Sequence, residues 1–171
     1  TSPGNTEPFK QSNLDILTLT EELQWKQFEV ISVSGGTPYL FSFLKDHSAL
    51  ASKVSIISGL GPICLPPFKR ILPIKAQVSL FFLPTLPDII FRLLLKKPQL
   101  IRLFLKPSGS DLGVLRKIEN LKILETALHE AFLQNGIGPK QDAKAFLSTW
   151  NLSVESLPTD ISIWHGGEDQ I

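Results

Sequence analysis

The stretch from Phe28 to Tyr39, Phe-Glu-Val-Ile-Ser-Val-Ser-Gly-Gly-Thr-Pro-Tyr, constrains the fold more than any other part of the chain. A β-type apolar run ends there against Ser-Gly-Gly and a helix-starting proline. Phe28, Val30, Ile31 and Val33 fall within about six residues and are aromatic or β-branched, which favours a buried strand over a helix. Gly35 and Gly36 then relax the backbone. Pro38 fits the first turn of a helix, where its missing N–H would have had no partner anyway. Leu40, Phe41, Phe43 and Leu44 continue that helix. A strand, a sharp turn and a helix in this order are the start of an α/β protein.

Within this stretch, Ser32-Val33-Ser34-Gly35-Gly36 resembles the nucleophile elbow, small-x-Ser-x-Gly, of the α/β-hydrolase fold. In that motif a serine stands at the tip of a strained strand-to-helix turn. The residues two positions away on either side stay small, because larger ones would strike the neighbouring strand and helix. The resemblance implies Ser34 as the nucleophile, with Ser32 at a position where the family usually has glycine. A Ser-Gly-Gly turn joining strand to helix in another α/β protein is the competing reading of the same residues.

The rest of the composition narrows the class. A chain of 171 residues with 43% apolar and 19% charged residues can bury one core and is globular in character. Net charge is +1, and Lys and Arg do not cluster among aromatics, so nucleic acid is not an expected partner. Cys64 is the single cysteine: no internal disulfide can form, no Cys/His spacing resembles a metal site, and a cytoplasmic location is expected. The chain begins at Thr1, contains no Met and shows no basic-then-apolar signal segment, the pattern expected of an internal piece of a longer protein.

In chain order, residues 1 to 11 form a turn-rich loop with two prolines and a glycine. Ser12 and Asp15 read as a capping-box-like start for a helix reaching about Lys26, with Leu14, Ile16, Leu17, Leu19 and Leu23 on its apolar face. A second strand is expected from Val54 to Ser58, so helix, elbow strand, elbow helix and strand make a βαβ unit with a parallel sheet. His47 reads as a solvated loop residue. From Gly59 to Pro67 the chain is Pro-rich, and Pro73, Pro84, Pro87, Pro98 and Pro107 then divide a long helical region into short segments. The stretch from Ile71 to Leu105 is very apolar, but its charges and prolines leave no clean run of about 20 residues, so stable membrane insertion is not expected. Its apolar residues, Leu80, Phe81, Phe82 and Ile89 to Leu95 among them, fit packed helices, some of which could line an acyl pocket. Asn120 is a candidate cap for a helix carrying Leu121, Leu124, Leu128, Ala131 and Phe132. His129 lies off that face as a solvated i,i+4 partner of Glu125. A short helix from about Gln141 to Thr149 follows Gly138-Pro139.

The final stretch, Leu157 to Ile171, holds a Pro-initiated short strand, Ile161 to Trp164, and the loop His165-Gly166-Gly167-Glu168-Asp169. It looks like the penultimate core strand of an α/β hydrolase, whose loop supplies the triad acid. With Ser34-Gly35-Gly36-Thr37-Pro38-Tyr39, Leu128-His129-Glu130-Ala131-Phe132 and Trp164-His165-Gly166-Gly167, the chain is similar along nearly its whole length to the lidded serine hydrolases of that superfamily. The resemblance implies a partial α/β-hydrolase fold, a parallel sheet of about three strands with a helical lid insertion: core over 1–62, lid over 63–150, core strand and acid loop over 151–171. It implies Ser34 as nucleophile, Asp169 as the acid with Glu168 as runner-up, the Gly35 backbone N–H as oxyanion donor and His165 as structural. The family order is Ser, Asp, His, so the histidine is expected after Asp169, outside this sequence. No cofactor is required, and the expected partner is a small hydrophobic ester or amide. Two other classes stay open: a non-catalytic binding or scaffold protein of the same fold, and an interfacial membrane-binding protein using the region from Ile71 to Leu105.

Overall fold

A computed structural model describes residues 8–72, 74–82, 137–148 and 160–167, with isolated positions 85, 87, 113, 114, 117, 119, 120, 122, 123, 126, 127, 130 and 150. The chain divides into two compact units, Thr1–Leu72 with Lys144–Ile171, and Pro73–Ala143.

The first unit is α/β. Helix α1 (Pro8–Glu22) leads to strand β1 (Phe28–Val33); a 3₁₀ turn (Ser34–Gly36) runs into helix α2 (Thr37–His47); strand β2 (Ala51–Ile57) and the short helix α3 (Pro66–Ile71) follow. Strand β3 (Ile161–Trp164) completes a three-stranded sheet in the order β1-β2-β3, parallel at both pairings. Strands β1 and β3 fall where their β-branched runs place them. Strand β2 starts three residues earlier than Val54, because Ala51 and Lys53 are drawn into the ladder opposite Phe28 and Glu29. It ends at Ile57, since Ser58 turns out of it with φ at 45°.

Helix α1 differs from expectation at both ends. It begins at Pro8, a residue suited to a first helical turn, so Ser12 and Asp15 lie inside the helix and form no capping box. Asp15 instead accepts a hydrogen bond from Gln11 Nε2 at 2.7 Å. It ends at Glu22, before Lys26, and Gln24 then takes a left-handed conformation with φ at 54°. Of the apolar residues expected on its face, Ile16 and Leu17 pack against the core, Leu14 and Leu19 are exposed, and Leu23, also exposed, lies beyond the end of the helix. His47 is not a loop residue: it closes α2, partly buried, its ring 5.3 Å from that of Phe43.

The core joins Leu40, Phe43 and Leu44 of α2 to Ala51, Val54 and Ile56 of β2, with Ile16, Leu17, Phe28, Val30 and Ile161 packed against them. Asn13 of α1 donates from Nδ2 to Ser42 Oγ at 3.2 Å, tying the two helices together. Successive strand residues point to opposite faces, so the register puts Phe28, Val30, Ser32, Val54, Ile56, Ile161 and Ile163 on one side, which α1 and α2 cover except at Ile163, which is exposed. Ile31, Val33, Ile57 and Trp164 share the other side and are exposed.

The second unit's described elements are α4 (Ile74–Gln77), a π-helical turn (Val78–Phe82) and the start of α5 (Ile137–Leu147), the helix that carries the chain back into the first unit. Helix α5 begins four residues before the Gln141 expected from sequence. Ile74, Val78 and Phe82 are exposed, so these apolar side chains are not buried core. Asn120 is itself helical and follows a helical Glu119, so it lies inside the helix and not at its N-cap; its Nδ2 donates to Val114 O at 2.7 Å. Among the described residues, no helix is long and apolar enough to cross a membrane.

Candidate active site

Open α/β sheets present their ligand sites beyond the carboxyl ends of their strands. In register, Val33, Ile57 and Trp164 end the three strands side by side. The next residues, Ser34, Ser58 and His165, therefore line up along one rim. Ser58 N–H donates to Trp164 O at 2.8 Å, which holds β2 and β3 together at that rim.

Ser34 sits between β1 and α2 with φ at 48°, one of three non-glycine residues with positive φ among those described. For a residue with a Cβ this conformation costs of order 1–3 kcal/mol and persists only where the surroundings enforce it. The enforcement falls on its carbonyl. Ser34 O accepts from the backbone N–H of Thr37, from Thr37 Oγ1 at 2.9 Å and from the Leu60 N–H at 3.0 Å. The side chain of Ser34 remains exposed.

The neighbouring small residues have separate reasons to be small. A methyl group on Gly35 would lie 2.7 Å from Phe146 Cζ of α5, so that ring occupies the space a side chain would need. A methyl group on Gly36 would lie 3.1 Å from Ser32 Oγ. Ser32 and Gly36 thus face each other beneath the turn, and each limits the other's size. Ser32 is 6% exposed, and its hydroxyl has no hydrogen-bond partner.

No side chain caps α2, which has a proline in its first turn. The backbone N–H groups at the start of such a helix carry partial positive charge toward a ligand placed there. On the flank, the Phe146 ring meets Tyr39 edge-on at 6.4 Å, and Tyr39 meets Phe9 edge-on at 5.0 Å. Trp150 Nε1–H donates to Phe146 O at 3.2 Å, bracing the end of α5.

Of the residues singled out from sequence, Ser34 and Gly35 stand together in the 3₁₀ turn between β1 and α2. His165 follows β3, is exposed and has partners of its own. Asp169, Glu168 and His129 lie outside the described residues. Sequence reasoning passed over Thr37, Leu60 and Phe146. Thr37 had a local signal, a hydroxyl three residues after the serine, a spacing at which side chains commonly reach back to the backbone. Leu60 and Phe146 had none, since they arrive from distant parts of the chain. Compared with known proteins, the chain matches no family model, no curated protein and no solved structure.

Proposed function

We propose that this chain carries the nucleophile and acid segments of a lidded serine hydrolase of the α/β-hydrolase type, with core segments at 1–62 and 151–171 and a lid over 63–150. Ser34 Oγ attacks the carbonyl carbon of a small hydrophobic ester or amide. A histidine following Asp169 in the longer protein takes the hydroxyl proton and delivers it to the departing alcohol or amine. Water then cleaves the acyl-enzyme by the same route, releasing the carboxylic acid. Asp169 holds the imidazole, and the Gly35 N–H receives the developing oxyanion.

The observation that carries the reading is the left-handed Ser34, exposed at a strand-to-helix junction and braced through its carbonyl. Strain held at a single exposed serine is what a nucleophile elbow requires. The parallel order β1-β2-β3 supports it, because the loop after β3 leaves the same rim, about 10 Å from Ser34 at two strand spacings. That gap suits an imidazole between serine and carboxylate.

A fluorophosphonate probe applied to the full-length protein tests the assignment. Wild type should be labelled at Ser34 and Ser34→Ala should not; equal labelling of the two would place the nucleophile elsewhere. Within the acid loop, Asp169→Asn should cost far more turnover than Glu168→Gln, with losses of up to about four orders of magnitude for removal of a triad acid. The reverse ranking would move the acid to Glu168.

A further inference from the structure

We infer that Thr37, with the Leu60 N–H, is a positioning device that aims the oxyanion donor; this rests on the hydrolase reading above. The peptide unit joining Ser34 to Gly35 is planar and trans, so its C=O and its N–H point in opposite directions and turn together. Whatever fixes the carbonyl of Ser34 therefore fixes the N–H of Gly35.

Three donors fix that carbonyl from two directions. The Thr37 N–H and Oγ1 hold it from the start of α2, and the Leu60 N–H holds it from the loop after β2. Thr37 is only 3% exposed, so its hydroxyl cannot exchange this bond for water. The loop is locked in turn. Ser58 carries φ at 45°, and a methyl group on Gly59 would lie 2.8 Å from Thr37 Oγ1, so loop and threonine fit against each other. With its carbonyl drawn inward by this clamp, the 34–35 peptide presents the Gly35 N–H to the opposite side.

An oxyanion donor acts on charge that develops only in the transition state, so its misalignment lowers kcat and leaves KM alone. Removing the Thr37 hydroxyl weakens the clamp without abolishing it, because two backbone donors remain. The expected loss is about tenfold, below the 10²–10³ seen when a donor is deleted outright.

The test uses the full-length protein with a p-nitrophenyl ester, rates being expressed per titrated active site so that any unfolded fraction drops out. Thr37→Val keeps the branched shape and loses the hydroxyl; Thr37→Ser keeps the hydroxyl. Thr37→Val should lose about tenfold in kcat at unchanged KM. It should bind an alkyl boronic acid, whose tetrahedral adduct carries the oxyanion, more weakly by the same factor. Thr37→Ser should restore both to within about twofold. Thr37→Ala serves as a second hydroxyl-free variant and should show the same signature. If Thr37→Val and Thr37→Ala keep wild-type kcat while Ser34→Ala is inactive, the positioning role is overturned and the hydrolase reading stands. A loss in KM alone would also overturn it, as would failure of Thr37→Ser to rescue. If Ser34→Ala retains full activity, the hydrolase reading falls, and the role of Thr37 in it falls too.

Discussion

Val54 and Ile31 are β-branched residues on adjacent strands of one sheet, yet Val54 has no exposed surface and Ile31 keeps 69% of its own. The difference is the face. Val54 points at α2, where Leu40, Phe43 and Leu44 receive it. Ile31 points the other way, beside Val33, Ile57 and Trp164, and all of these are exposed. Parallel strands are ordinarily buried on both sides, and the apolar residues of β1, Phe28, Val30, Ile31 and Val33, fall on both faces with Glu29 and Ser32 among them. Sequence pattern therefore reports what a strand is suited to bury, while the helices at hand decide which half is buried.

The largest effect should come from the covered side. Leu44→Ala should cost about 2–5 kcal/mol, read from urea unfolding, because Leu44 is fully buried and the cavity would open between α2 and β2. Ile31→Ala on the bare side should cost less than about 1 kcal/mol in the same assay. Comparable costs would break the comparison, since they would mean that something covers Ile31 in solution.

An intermediate effect is expected where the covered side meets the rim. Gly59→Ala would place a methyl group 2.4 Å from Ile56 Cγ2 and 2.8 Å from Thr37 Oγ1. It should destabilise by about 1–3 kcal/mol through overpacking. A neutral result would show that the loop after β2 yields, and would weaken the case for a rigid clamp on Ser34.

The smallest effect on stability belongs to the bare face, although the effect on association is not small. The double change Ile31→Lys with Trp164→Lys should shift the unfolding free energy by less than about 1 kcal/mol. The chain itself should associate with rising concentration, because an exposed apolar face beside the edge strands β1 and β3, which pair with no further strand among the described residues, favours pairing with other chains. Light scattering after size exclusion should then show the double variant less associated than wild type. Equal association of the two would move the contact away from this face.

Much of the architecture was legible in the residues, and where it was not the reasons are specific. The bounds of β1 and β3 follow from short β-branched runs, and Pro38 marks the first turn of α2. The start of α1 was misplaced because Ser12 and Asp15 imitate a capping box. The helix continues back to Pro8 while Asn13 is held by Ser42, a partner 29 residues away. The extent of β2 was set by pairing with Phe28 and Glu29, which no local pattern in Ala51 to Lys53 reveals. At the candidate site, the turn that holds Ser34 and Gly35 was legible because turn chemistry is local. The acid assigned to Asp169 rests on order along the chain alone.

The strand, the turn and the helix around Ser34 are legible locally, since β-branching and proline geometry act within a few residues, while the positive φ of the turn falls on Ser34 and Gly36 stays right-handed with φ at -71°. Long-range contacts alone put Phe146 on Gly35, bring the Leu60 N–H to Ser34 O, and set α1 and α2 on the same side of the sheet. These contacts join residues far apart in the chain. Each exists because folding brings the partners to one place, and neither partner carries a local mark of the other.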